Sequence, residues 1–473
     1  MTRPTARTIP VELDAEMTPA VRALVLALFA EIDHLQAEVR DLRSQLADGR
    51  PTPQNSSVPP SSVHPHTKRV SAKPRSKRRR GGQPGHDKHT RALIPAEDCQ
   101  AVVPCIPVEC RRCGQTLHGT DLEPLRHQVW ELPDIQPVVT EYQRHRLVCV
   151  CGSSTCGDLP VGVSSGQAGP RLIAFSGLLM ACFRQSKRRA AQFLSTILNQ
   201  PASAAWMVLL QNRCAEAVEP IYDELARQLP AQAILNIDES PTKEGSAKAW
   251  VWTVVATSFT VFACRTSRAA DVLTGLLGKS YPGVIHCDRA KMYWRFGRLQ
   301  WCWAHLKRDF QALIDDPCPT RKRLGHDLMR PTRELFDLGK RVRDGTITRR
   351  TFTQRMEPIR ATVESLLLRG YFHTRTRSFC KELWEHRERL WTFVEVEGVE
   401  PTNNAAERAL RHAVIWRKLS FGTQSAAGSR FVERMLTVIE TGRRVGRNVF
   451  EWLTDVVHAH LHRKATPTLL AGL

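Results

Sequence analysis

The sequence predicts an α+β multidomain chain: an N-terminal coiled coil, a zinc-knuckle module, a helical segment, and an α/β core interrupted by a helical insertion. Three observations predict it. Apolar residues near the start recur in steps of four and three. Seven of the 14 cysteines crowd between 99 and 156. After Pro230 the hydrophobic period switches from helical to strand-like.

The coiled coil, 15–48, rests on Val21, Val25, Leu28, Ile32, Leu35, Val39, Leu42 and Leu46, the spacing of an a/d seam with charged residues outside. Self-association through this seam, giving a homo-oligomer, is the expectation; a lone amphipathic helix is the alternative. A linker, 49–95, follows. It is rich in Pro, Ser and basic residues and too poor in apolar ones to fold alone. Between Lys68 and Arg91 it carries ten Lys or Arg against one acid, and Lys77, Arg78, Arg79 and Arg80 are its densest stretch. Such an arm suits the phosphate backbone of nucleic acid.

Charge over the whole chain agrees. Lys plus Arg number 68 and Asp plus Glu 47, a formal charge of +21, which draws the protein to a polyanion, with DNA the first candidate. No stretch approaches the roughly 18 to 20 apolar residues needed to span a bilayer. The longest, LIAFSGLLMACF at 172–183, reads as a buried helix, so no membrane partner is expected. No signal peptide is visible, and a cytoplasmic location with reduced thiols follows.

The cysteine module spans 96–165. CRRCG sets Cys110 and Cys113 two residues apart, a pair able to grip one tetrahedral zinc, with a second pair from LVCVCGSSTCG. Cys149 and Cys151 are chosen as that pair, with Cys156 left open as the alternative fourth ligand and plain structural thiols as the alternative to zinc. From 170 to 229 the pattern is helical, with a polar break at 199–203 that would suit a helix-turn-helix contacting DNA, although helical pairs occur in every fold.

In 230–316, AILNID, AWVWTVVA and FTVFACR read as three strands, RAADVLTGLLG as a helix, VIHC as a fourth strand and LQWCWAH as a fifth. That order is the order of a ribonuclease H-like α/β catalytic core, which presents carboxylates from two adjacent strands. Asp238 and Asp288 each close an apolar strand. One strand-end Asp is ordinary, since Asp favours turns; two side by side point to a site for divalent metal. A helical insertion, 317–398, then separates Asp288 from the third acid.

That acid is Glu407, in the last part of the core, 399–455, before a tail at 456–473. Asn404 suits an N-cap and Glu407 lies three residues on, which fits a capping box. A cap does not explain why Arg408, Arg411, Arg417 and Lys418 gather on the same helix, which suits a DNA-binding groove beside a metal site. Because successive strand side chains face opposite ways, Glu239 cannot share a metal pair with Asp238 unless the strand has ended; Glu239 is assigned to the turn or to a supporting role, and Asn236 is a same-face neighbour of Asp238. Cys302 and His305 are assigned to burial among Trp301 and Trp303, with contact of His305 or Lys307 to a phosphate as the alternative.

These residues resemble the insertion sequence 66 family of bacterial transposases over nearly the whole chain. The matching features are the leading coiled coil, RRGGQPGH, CRRCG, the IDES strand, VIHCDRAKMYW, QWCWAHLKRDF, PTNNAAERALR and WRKLSFGTQSAAGSRFVER. The family commonly shows two CxxC pairs, whereas Cys149 and Cys151 are one residue apart. The resemblance implies a DDE-type transposase acting in the bacterial cytoplasm at the nucleoid, with its acids at Asp238, Asp288 and Glu407. It also implies DNA as substrate, both element terminal repeats and target, and accessory proteins of the same element. Two magnesium (or manganese) ions about 3.5–4 Å apart would serve such chemistry, and a structural zinc would hold the knuckle. The alternatives are a DNA-binding regulator or relic without catalysis, and a ribonuclease H-like nuclease that cuts but does not join.

Overall fold

The computed structural model describes residues 17–48 and 91–470, with the backbone alone at 33, 34 and 36–48. The chain divides into two compact units, 65–138 and the remainder, so the cysteine module expected at 96–165 falls partly in each. No helix among the described residues is long and apolar enough to cross a membrane.

The larger unit begins with α1 (Pro19–Asp48). Val21, Leu28, Ile32 and Leu35 of the predicted seam stand exposed, while Val39, Leu42 and Leu46 lie outside the described side chains. In the smaller unit the chain from 91 to 138 is mostly irregular, with a bridge between Glu109 and Thr116 around the Cys110 turn.

Beyond it, β1 (Arg146–Val148) and β2 (Ser154–Cys156) form an antiparallel hairpin. Four helices follow: α2 (Pro170–Ala181), α3 (Lys187–Ile197), α4 (Ala204–Ala217) and α5 (Glu219–Gln228). Ser186 and Ser203 start α3 and α4 by accepting the amides of Arg189 and Trp206, so the polar break at 199–203 is an N-cap approach.

The core sheet holds β3 (Ile234–Glu244), β4 (Ala247–Val255) and β5 (Thr260–Arg265), then, after α6 (Ala270–Leu277), β6 (Val284–Cys287) and β7 (Arg298–Trp301). Their order is β5-β4-β3-β6-β7. The first three are antiparallel, and β6 and β7 run parallel to β3. Helix α7 (Trp303–Asp315) leads into α8 (Pro319–Arg343), α9 (Arg349–Tyr371), α10 (Arg377–Glu385) and the short α11 (Thr392–Glu395). The chain returns to the sheet with α12 (Asn404–Ser420), α13 (Ala426–Arg444) and α14 (Val449–Leu461).

One strand departs from expectation. β3 does not stop at Asp238 but stays in register with β4 as far as Glu244, turning at Gly245 with φ +58°. Past Asn236 its β6 side has no strand partner until the isolated bridge of Glu244 to Thr423, and Pro241 is tolerated in that unpaired stretch.

Both outer edges of the sheet are closed by side chains. On β5 the outward amides of Thr260, Phe262 and Cys264 donate to Thr441 Oγ1 (3.1 Å), Thr437 Oγ1 (2.9 Å) and Glu433 Oε2 (2.8 Å). Those acceptors are four residues apart on α13, so one helix face reads every second amide of the strand. The Phe262 carbonyl accepts from Tyr222 Oη at 3.1 Å. On β7 the Leu299 carbonyl accepts from Thr392 Oγ1 (2.7 Å), and Gln300 Oε1 accepts the Phe393 amide (2.7 Å). Glu433 is itself buried and held by Arg265 and Arg430.

Thr437→Val keeps shape but strands the Phe262 amide. We expect a loss of about 1–3 kcal/mol in denaturant unfolding, the cost of an unpaired buried donor; unchanged stability would show that the edge does not need this acceptor.

Candidate active site

The parallel pairing of β3 with β6 matches Ile234 to Val284, Leu235 to Ile285 and Asn236 to His286. Continued two residues, the same register sets Asp238 level with Asp288. β6 ends at Cys287, so its flank of β3 opens where the acids stand. Each acid is oriented by backbone: Asp238 Oδ1 accepts the Glu239 amide and Asp288 Oδ1 the Ala290 amide, both at 2.9 Å.

Glu407 arrives differently from the expected capping box. Asn403, not Asn404, is the N-cap of α12, and its side chain makes no capping bond. The Asn403 Nδ2 donates to the Ile237 carbonyl at 2.7 Å, and its amide to Cys302 Sγ at 3.2 Å. Glu407 therefore sits one residue past the box position, with its amide donating to the Asn403 carbonyl at 3.2 Å. The Cys302 amide donates to the Cys287 carbonyl at 3.0 Å, and the Trp303 amide to the Pro401 carbonyl at 2.9 Å. These bonds join the residue before Asp238, the residue before Asp288, and the starts of α7 and α12.

His305, in the first turn of α7, is largely buried and also stands beside one of the acids, a proximity that the assignment to burial did not include. Its Nε2 lies 3.9 Å from Glu407 Oε1. Donor atoms of Cys302, His305 and Glu407 all lie within 4.8 Å of one another. Cys302 is buried, as expected, and burial pushes its thiol up to about 11. His286, on β6, is also buried, which lowers its imidazole to about 3.

Burial first, then the charges of Glu239, Asp288 and Glu407, hold the Asp238 carboxyl well above the usual carboxylate range. Among the described residues, neither Asp238, Asp288 nor Glu407 forms an ion pair with Lys or Arg.

Glu239 does not begin a turn; it is a strand residue paired with Trp252. Its carboxylate accepts from Tyr293 Oη (2.6 Å) and from Arg268 Nη2 (2.6 Å) and Nε (2.8 Å), tying β3 to the loop after Asp288. Burial leads in raising its carboxyl above the ordinary value.

Of the basic residues expected on α12, Arg408, Arg411 and Lys418 are exposed, but Arg417 is not offered to a groove. Its guanidinium donates to Ser240 Oγ at 3.0 Å and to the Pro241 carbonyl, clasping α12 to β3. Lys77, Arg78, Arg79 and Arg80 lie outside the described residues.

The cysteine pairs fall in separate units. In one, the Cys110 amide donates to the Gln115 carbonyl and Gly114 returns a bond to Cys110; amides of Arg112 and Cys113 lower the Cys110 thiol. In the other, Cys149 and Cys151 share the β1–β2 turn, and the Ser153 amide, then Cys149, lower the Cys151 thiol. Cys156 stands at the strand end, its thiol directed to the Arg144 carbonyl.

Residue reasoning missed Asn403 and undervalued His305. The signal for His305 was present, a Cys-x-x-His spacing that begins a helix next to the Asp288 strand; the two asparagines before the Glu407 helix signal only a cap.

The chain is 25% identical over 246 residues to "Uncharacterized protein y4qI" of Sinorhizobium fredii (strain NBRC 101917 / NGR234), a match covering 46% of this chain and 45% of that protein. The chain thus spans about half the length of the curated relative it matches. A family of unknown function (DUF6444) matches residues 1–92. The transposase IS66 family matches residues 165–430, more than half of the chain and all three acids of the site, and the chain belongs to that family.

Proposed function

We propose that the protein is a DDE-type DNA transposase on a ribonuclease H-like core, which binds element ends, cuts DNA and joins the freed 3′-hydroxyl to target DNA. The observation that carries this reading is the convergence of Asp238, Asp288 and Glu407, from two neighbouring strands and a helix, on one half-buried place without a Lys or Arg partner. The strand order supports the core assignment.

The residues fit magnesium or manganese, since carboxylate oxygens suit hard cations and Glu407 Oε1 is buried without a hydrogen-bond partner. Two such ions, when bound, activate a water or 3′-hydroxyl and stabilise the leaving oxygen. Asp238, whose carboxyl feels the charges of both other acids, would serve both ions, and Asp288 and Glu407 one each. Arg408, Arg411 and Lys418 on α12 would neutralise DNA phosphates, and the arm with Lys77 to Arg80 would add sequence-independent affinity. A dimer through the exposed seam of α1, accessory proteins of the same element and a location at the bacterial nucleoid belong to the same proposal. So does a structural zinc in the cysteine module, where the lowered Cys110 and Cys151 thiols suit a cation.

A strand-transfer assay on labelled element ends with magnesium tests the reading. Joined product supports a transposase; cleavage alone points to a nuclease, and binding alone to a DNA-binding regulator. Asp238→Asn, Asp288→Asn and Glu407→Gln should each abolish cleavage while DNA affinity stays within about threefold, roughly 0.65 kcal/mol. Cleavage retained in Glu407→Gln would remove that residue from the site.

The raised Asp238 carboxyl gives a prediction of its own. The folded state binds this proton more tightly than the unfolded chain, so its contribution to metal-free stability is lost as pH rises from the unfolded value through the folded one. Asp238→Asn should therefore raise the melting temperature of the metal-free protein near neutral pH and flatten its pH dependence. Magnesium should stabilise wild type but not the variant. A variant that melts lower at every pH would contradict this.

For the knuckle, Cys110→Ser should release zinc, read by elemental analysis, and weaken binding to element ends. Wild-type protein that carries no zinc after gentle purification would remove the metal from the proposal.

A further inference from the structure

Four polar atoms beside the acids are buried without a hydrogen-bond partner: Glu407 Oε1, His305 Nδ1, His286 Nε2 and Asn403 Oδ1. Buried polar groups are nearly always paired, so such a cluster marks a place whose partner comes from outside the chain. Two of the four belong to side chains that approach one another, with His305 Nε2 at 3.9 Å from Glu407 Oε1. That separation is too long for a hydrogen bond and fits two donors that share one cation.

We propose that His305 is a direct ligand of the ion held by Glu407, so that the carboxylate site of the transposase is a mixed nitrogen and oxygen site on that side. This rests on the metal-dependent reading above. The position of His305 supports it. The side chain sits in the first turn of α7, facing the helix that carries Glu407. The backbone at this turn is fixed by the Cys302 and Trp303 amide bonds to Cys287 and Pro401. Cys302, although near, already receives the Asn403 amide at its sulfur and lies behind the other two.

A nitrogen donor shifts preference along the divalent series. Magnesium favours an all-oxygen shell, whereas manganese accepts imidazole more readily. The expected consequence is manganese affinity well above magnesium affinity in wild type, and a smaller ratio in His305→Gln.

Manganese bound to the full-length protein reports its ligands by pulsed electron paramagnetic resonance. We expect a nitrogen-14 coupling that becomes a nitrogen-15 coupling when histidine alone is isotopically labelled. The coupling should vanish in His305→Gln, survive in His286→Gln, and accompany a loss of manganese affinity of on the order of tenfold or more. The labelled wild-type spectrum is decisive even if a variant does not fold. Manganese that binds in wild type, is lost in Asp288→Asn, and shows no histidine nitrogen overturns the ligand role of His305 while leaving the carboxylate site intact. A coupling that persists in His305→Gln overturns it too. No manganese bound through the acids overturns both the ligand role and the metal-dependent reading.

Discussion

The active-site geometry depends on one chain of hydrogen bonds: Ile237 carbonyl to Asn403 side chain, Asn403 amide to Cys302 sulfur, Cys302 amide to Cys287 carbonyl. Each link ends one residue, or one helical turn, from a residue of the site: Asp238 follows Ile237, Asp288 follows Cys287, and His305 and Glu407 lie one turn into the helices that Cys302 and Asn403 begin. Asp288 and Glu407 are 119 positions apart, and bringing them together costs closure entropy that rises only slowly with loop length. The harder requirement is precision. A few buried bonds, each worth about 1 kcal/mol net but costly to leave half made, lock the register of four segments at one point.

The sheet makes that point a fixed one. With β5 sealed by Glu433, Thr437 and Thr441 of α13, and β7 by Thr392 and Gln300, neither outer edge can slip or recruit another strand. What remains open is the interior notch where β6 stops and β3 goes on. Ligands of α/β sheets bind outside the carboxyl ends of parallel strands. Here that rule has a local cause: β6 ends at Cys287, so Asp238 loses its flanking strand and gains room for another group.

How far the sequence could be followed depended on the range of the forces involved. The strands were legible because AWVWTVVA and VIHC are short, nearly continuous apolar runs, the mark of strands buried on both faces. The end of β3 was not, because SPTKE carries turn residues whose tendency is overridden by register with β4 through Glu244. The three acids could be picked out as the residues that close two apolar runs and as the acid of a basic helix, although Asp238 proves to stand within β3 rather than at its end. Asn403 could not, since an asparagine before a helix signals a cap, and only the packed structure shows its amide group turned to Ile237 instead. Arg417 illustrates the same limit: its charge suggested DNA, but its position four turns along α12 delivers it to Ser240 and Pro241.

Charge placement then ties the fold to its chemistry. In a protein of net charge +21, three arginines near the site are already committed: Arg268 to Glu239, Arg289 to Asp309 and Glu382, Arg417 to β3. None of these neutralises Asp238, Asp288 or Glu407, and burial first, then the neighbouring acids, raise the proton affinity of Asp238. Carboxylates forced together without a counter-charge are a liability to the metal-free fold, and they persist only where the surrounding structure over-determines them. The hydrogen-bonded chain through Asn403 and the sealed sheet provide that over-determination. The stability they contribute holds the acids close, and on the proposed metal-dependent reading an added cation would relieve the repulsion, so that affinity for metal would follow from the strain that the fold sustains.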